Sequence, residues 1–282
     1  MLPCAVVNQR RRSALMCGIL SIVVSIAVLA PLAVANTLCY ALYRPGCRWV
    51  NHAVSTWGAR TIFAVLHTYG RLKFYSDYTH AEHLPTQYLV VSNHQSVLDT
   101  PALMRYFGYI DAPRLRFVAK RELARFVPLV STMLKSGRHC LVDRHQSGAQ
   151  AMQALETFTH HVMRERWLPV IFPEGTRSRN GALRIFHAAG FRALTARLPL
   201  PVVVCALDGG WNLRPLLKIG QKLKGSAYRV KVLGVYPAPH NKDEQLSLLR
   251  EAKALIQAQL DVWRSETTCP QDECLTRASK DS

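Results

Sequence analysis

The sequence predicts an α/β domain: a mixed, largely parallel sheet flanked by helices, with an N-terminal membrane-inserted helical segment. Three observations carry this reading. From about Tyr75 onward, short β-rich runs alternate with helical stretches, the pattern of a largely buried, partly parallel sheet. The strand candidates are compact apolar runs such as "YLVVS" and "LPVVVCALDG". Before Asp77 there is no acidic residue at all, and the chain there is apolar and basic.

That first part sets the class of partner. The chain has 282 residues and a formal net charge of +18, and 49% of it is hydrophobic. Nucleic acid, an anionic membrane surface and acidic substrates are the three partners such a charge can serve. Arg10, Arg11, Arg12, Arg44, Arg48, Arg60, Arg71 and Lys73 all precede Asp77 and lie among apolar residues, which favours a bilayer with anionic lipids and no nucleic acid.

Ser13 to Tyr43 holds no charge and no histidine. As one helix it would run about 45 Å, against about 30 Å for a bilayer core. It is long enough to span with tilt, or to break at Pro31 into a bent or re-entrant hairpin. Arginines flank both of its ends, so the positive-inside bias is weak, and a hairpin or monotopic insertion that keeps both ends on one side is expected. A cleaved leader ending at "AVA" (Ala33 to Ala35) is disfavoured, because the apolar run continues as "NTLCYALY". The next stretch, "WVNHAVSTWGARTIFAVLHTYG", reads as a second helix at the interface with Trp49 and Trp57 as anchors.

The strands are expected at Tyr88–Ser92, Arg116–Ala119, His139–Val142, Pro169–Phe172, Val202–Leu207 and Ala227–Val235. Helices are expected near Val97–Tyr106, Arg121–Leu134, Gly148–Arg166 and Ala188–Leu198. A last one runs from about Lys242 to Trp263, opened by the acidic first turn "NKDEQ". The expected organisation is an anchoring segment over 1–74, a catalytic domain over 75–264 and a loose polar tail over 265–282. The eight cysteines and eleven histidines form no C-x-x-C and no set with zinc spacing; reduced thiols and no metal are expected.

Two stretches carry chemistry. "SNHQSVLDT" places His94 in the turn after a strand, where α/β sheets meet ligands. Asp99 follows about one turn into the next helix and can fold back to fix the imidazole tautomer. Histidine has an ordinary pKa of about 6.5 and is suited to taking a hydroxyl proton at neutral pH. A bare H-x4-D is a loose pattern, and a capping aspartate beside a surface histidine explains it equally well. "VIFPEGTRSRNG" follows as strand and polar loop, with the amides around Gly175 and the side chains of Thr176, Arg177, Ser178 and Arg179 as an anion cradle. An ordinary basic turn is the alternative.

In this order, His94-x4-Asp99 and "FPEGTRS" resemble the glycerolipid acyltransferase family, in particular the 1-acylglycerol-3-phosphate acyltransferases. "FVAKRELARFVPLV" resembles that family's second block, and "LPVVVCALDG" its fourth. The resemblance covers about Tyr75 to Tyr236. It departs at Ser131, where glycine is usual, at "FHAAG" (Phe186 to Gly190), which lacks two lysines, and at Val204, where a second proline is usual.

The resemblance implies that His94 is the general base on a glycerol hydroxyl and that Asp99 orients it. Lys120, Glu174, Gly175, Thr176 and Arg177 would bind the acceptor's phosphate; by its own charge Glu174 is not an obvious phosphate ligand and is expected to hold Arg177 or a backbone amide. It implies acyl-CoA or acyl-carrier protein as co-substrate, a lysophosphatidate-like acceptor, no other cofactor, and an inner or plasma membrane location with the catalytic domain on the cytoplasmic side. Main-chain amides near His94 are expected to hold the oxyanion. Another lysolipid acceptor, such as a lyso-ornithine lipid, is the nearest alternative. A hydrolase using Ser96 is disfavoured, since no G-x-S-x-G surrounds it.

Overall fold

A computed structural model describes residues 4–81, 83–121, 128–142, 148–213 and 226–268. Seven strands form one sheet: β1 (Lys73–Asp77), β2 (Leu89–Ser92), β3 (Leu115–Lys120), β4 (Cys140–Val142), β5 (Leu168–Ile171), β6 (Val202–Asp208) and β7 (Ala227–Tyr236). Their order is β1-β7-β6-β2-β5-β3-β4, and every neighbouring pair is parallel except β6 with β7. The sheet is therefore mixed and largely parallel. The strand before "SNHQ" sits at its centre.

The helices are α1 (Cys4–Leu42), α2 (Gly46–Ala53), α3 (Ala59–Gly70), α4 (Asp99–Asp111), α5 (Pro128–Ser136), α6 (Gly148–Glu165), α7 (Ala188–Thr195) and α8 (Lys242–Thr268). Period-two alternation sorts the core into two layers. Val90, Val170, Val203 and Cys205 pack with Phe63 and Leu66 of α3 and Leu103 of α4. Val91, Ile171, Val202 and Val204 pack with Phe158 of α6, Phe191 of α7 and Ile256 of α8. β2, β5 and β6 are buried on both faces, which explains why they read as continuous apolar runs.

Two sequence expectations change. The first concerns Pro31, which does not break α1: the helix runs through it for 39 residues, roughly 58 Å. One i→i−4 bond is lost at the proline, and the long apolar flanks carry the helix on. The chain turns instead at Tyr43–Gly46, where the Tyr43 carbonyl accepts from the Gly46 amide at 2.9 Å. A Cβ on Gly46 would lie 2.9 Å from Cys39 Sγ and 3.2 Å from the Tyr43 ring, so a larger residue would push on both side chains. α2 and α3, joined by a π-helical turn (Val54–Gly58), then run back along α1. The second change is that the C-terminal helix extends to Thr268, past the expected boundary at 264; the rest of the tail lies outside the described residues. The first half of the expected helix Arg121–Leu134 also falls mostly outside them.

Within α1, Ile19–Leu42 has a mean hydropathy of 2.3 and is long and apolar enough to cross a membrane. Trp49 and Trp57 are both well exposed. A polar knot ties this hairpin to the sheet domain: Asn36 and Asn51 each donate through Nδ2 to Ser136 Oγ, at 2.9 and 3.1 Å.

Candidate active site

β2 and β5 are neighbours, yet their onward connections leave on opposite faces: α4 after β2, α7 after β5. Such a switch point opens a crevice at the carboxyl ends of the two strands. His94 lies just past β2 and Glu174 just past β5, so both sit on that crevice.

The Ser92–Thr100 stretch is built around one buried carboxylate. Asp99, the first residue of α4, has no exposed surface. Its Oδ2 accepts from His94 Nδ1 at 2.6 Å, from the Gln95 amide at 2.6 Å and from the Ser96 amide at 2.8 Å. Its Oδ1 accepts from the Tyr228 hydroxyl. An acid buried this deeply is tolerable because four donors surround it. With Nδ1 facing the carboxylate, the imidazole's Nε2 is the nitrogen left for substrate. The ring stacks on Phe172 at 4.3 Å and keeps about a fifth of its surface open.

The second loop is locked onto the first. Glu174 is 2% exposed; its Oε1 accepts from the His94 amide at 2.8 Å and its Oε2 from the Arg184 amide at 3.0 Å. Burial pushes the Glu174 carboxyl above its ordinary range, against the pull of these two amides. The Ser178 amide donates back to the His94 carbonyl at 2.8 Å. The loop carrying Thr176 and Arg177 is thereby fixed beside the imidazole.

Lys120 ends β3. Val90, Val170 and Phe117 are level across the three strands, so Asn93, Pro173 and Lys120 are level too. At about 4.8 Å per strand, Lys120 starts roughly 10 Å from the His94 turn, on the same sheet edge.

Three expectations need correction. Glu174 builds the loop rather than binding phosphate as the resemblance implied: both of its oxygens are taken by main-chain donors, the backbone-amide role its charge suggested. The Gly175 amide donates to the Phe172 carbonyl at 2.9 Å and the Ser178 amide to His94, so neither serves an anion cradle; Gly175 is needed for its φ of +61°. The amides of His94, Gln95 and Ser96 are likewise spent on carboxylates and hold no oxyanion.

Other site residues went unremarked in the sequence. Asn93 pairs both ways with the peptide of Leu207, each bond 2.8 Å, and clamps β2 to β6. Gln95 donates to Asp208 at 3.0 Å and accepts from the Gly210 amide at 3.1 Å. Arg264 of α8 donates to Asp208 at 3.2 Å and to the Gly181 carbonyl at 2.7 Å. The polar run "SNHQ" directly after an apolar strand was the available signal for Asn93 and Gln95. Nothing local marked Tyr228 or Arg264.

Residues 76–208 match the family profile described as Acyltransferase, and the whole of the His94 turn and the Arg177 loop falls inside it. This stretch, just under half of the chain, is similar to the acyltransferase family. Among its relatives is human 1-acyl-sn-glycerol-3-phosphate acyltransferase beta, 34% identical over 45% of this chain and 44% of that one. A probable 1-acyl-sn-glycerol-3-phosphate acyltransferase of Mycoplasma genitalium is 31% identical over 63% of this chain and 66% of that one. The matches thus span less than two thirds of these relatives. The likeness of fold extends further: a crystal structure titled as the 1-acyl-sn-glycerophosphate (LPA) acyltransferase PlsC of Thermotoga maritima superposes with a TM-score of 0.61. It covers 91% of this chain and 97% of that one at 16% identity. Tyr228 and Arg264 lie beyond the matched region but bond to residues within it, Asp99 for the one and Gly181 and Asp208 for the other.

Proposed function

We propose that the protein transfers a fatty acyl group from a thioester, acyl-CoA or acyl-carrier protein, to the free hydroxyl of 1-acylglycerol-3-phosphate, giving phosphatidic acid. The observation that carries this is the 2.6 Å His94–Asp99 pair bonded through Glu174 to the loop that bears Arg177. His94 Nε2 takes the hydroxyl proton as the oxygen attacks the thioester carbonyl, and Asp99 stabilises the imidazolium that forms. The tetrahedral intermediate collapses, expels the thiolate, and the imidazolium returns a proton to it. A phosphomonoester carries close to two negative charges, and Arg177 with Lys120 supplies two cations on its side of the crevice. No metal or further cofactor enters this scheme.

The apolar α1, the exposed Trp49 and Trp57 and the basic surface support a membrane-bound enzyme that meets both lipids at the interface of an anionic bilayer. The names of the relatives support the acceptor. Purified protein in lipid nanodiscs, given mixed lysolipids and each thioester donor, tests the reading by mass spectrometry of products. Phosphatidic acid from wild type and none from His94→Ala is the expected result. Preference for a phosphate-free acceptor, or full activity in His94→Ala, overturns it.

A further inference from the structure

We propose that Tyr228 is a positioning residue for the His94–Asp99 pair, its hydroxyl setting how much of the Asp99 charge reaches the imidazole. The inference rests on the reaction reading above. Tyr228 comes from β7, outside the region that the family profile matches. It is completely buried, and its hydroxyl donates to Asp99 Oδ1 while His94 holds Oδ2. The two oxygens share one charge. A donor on Oδ1 draws density away from Oδ2 and weakens the hold on a protonated His94.

Three features make this a built contact. The ring packs against the pair Phe63, at 5.4 Å, and Phe74, at 6.0 Å. Burial and the adjacent Asp99 push the phenol well above its ordinary range, so the hydroxyl keeps its proton and remains the donor. Gly210 closes the pocket: a Cβ there would lie 3.0 Å from Asp99 Oδ1, 3.0 Å from Ser96 Oγ and 3.1 Å from the Tyr228 hydroxyl. A side chain at 210 would crowd all three of these oxygens.

The other charged groups around the imidazole are few. Glu174 faces its backbone amide from the β5 loop. Asp208 stands behind Gln95 at the end of β6. Arg177 and Lys120 are cations of the same sheet edge, and Arg264 pairs with Asp208 there at 3.2 Å. None of these touches Asp99 Oδ1; the phenol's other partner is the Ser96 side chain, so removing the phenolic hydroxyl changes that oxygen and the Ser96 contact and no charged group.

The test is Tyr228→Phe, which keeps the ring and its packing, beside a protein carrying 3-fluorotyrosine at 228, a stronger donor. The His94 imidazole is titrated by nitrogen-15 NMR, which needs no turnover, and kcat and KM are measured against pH. In Tyr228→Phe the titration midpoint and the acid limb of the rate profile should both rise by about half a unit or more. KM for the acceptor should stay put while kcat falls below the limb. The fluorinated protein should shift both the other way. A midpoint that stays fixed in both proteins, or moves the same way in both, overturns the proposal. Expected shifts by NMR together with undiminished transfer by His94→Ala uphold the coupling and overturn the reaction reading instead.

Discussion

Asp99→Asn is the sharpest perturbation of this site, because the structure separates its electrostatic effect from its structural one. The amide oxygen can occupy the Oδ2 position and still accept from His94 Nδ1 and the Gln95 and Ser96 amides. The new NH2 would then face the Tyr228 oxygen, which can accept. The scaffold of bonds survives and the charge does not. A 2.6 Å Nδ1–Oδ2 contact sets the imidazolium and carboxylate charge centres about 4 Å apart. At an effective dielectric of about 20 their attraction is about 4 kcal/mol. Losing it in the transition state costs roughly a thousandfold in rate. The assay is initial-rate acyl transfer with labelled thioester, run beside thermal unfolding of the same preparation. Expected are a kcat lower by about 10³-fold and a Tm within about 4 °C of wild type. A loss under tenfold refutes the reasoning, as does a large rate loss accompanied by collapse of the thermal transition, which would make Asp99 a folding residue.

Four further outcomes are expected. Gly209 has φ +96°, and a Cβ there would lie 1.9 Å from the Ala227 carbonyl oxygen; Gly209→Ala should destabilise by about 3–5 kcal/mol, a Tm drop of roughly 10 °C by calorimetry. His139 accepts the Phe117 amide through Nδ1 at 3.0 Å, and burial with nearby Arg116 pushes it down to about 3. Below about pH 6.5 the unfolded chain binds a proton that the native state refuses, so stability falls as pH drops. Part of the His139 surface still reaches solvent, so between pH 7 and 5 the loss should be about 1–2 kcal/mol, and denaturant melts of His139→Gln should lack this slope. Arg177→Lys should raise KM for the phosphate acceptor about tenfold in steady-state assays, since an ammonium cannot grip phosphate bidentately. Arg264→Ala frees the Gly181 carbonyl and Asp208; it should raise the same KM with little change in kcat, and limited proteolysis should cut the 173–182 loop faster.

The sheet and its order of elements were largely legible, because β2, β5 and β6 are buried on both faces and their apolar runs have one stable reading. The pairing of His94 with Asp99 was legible because it is local: five positions across a strand-to-helix turn bring the two side chains together. β1 escaped notice. Its five residues, "KFYSD", are mostly exposed at a sheet edge, and they are held by parallel pairing to β7, more than 150 positions away in the chain. The route of the N-terminal segment also escaped, since both a kink at Pro31 and a turn at Gly46 satisfied the composition. Only the close approach of Gly46 to Cys39 decides between them.

The sequence by itself determined the chemistry: which groups can take a proton, which can hold phosphate, and that an apolar helix precedes them. The tertiary structure alone decided which of those groups are free to act. The amides of Gly175, Gln95 and Ser96 all looked available as a string of letters, and all proved to be consumed in holding the site together; for Glu174 the structure chose backbone amides over Arg177 as its partners. Tyr228 and Arg264 looked unremarkable and proved to be supports. The physical reason is that a buried donor or acceptor must find a partner, and which partner it finds depends on strands and helices that meet only after the whole sheet has closed.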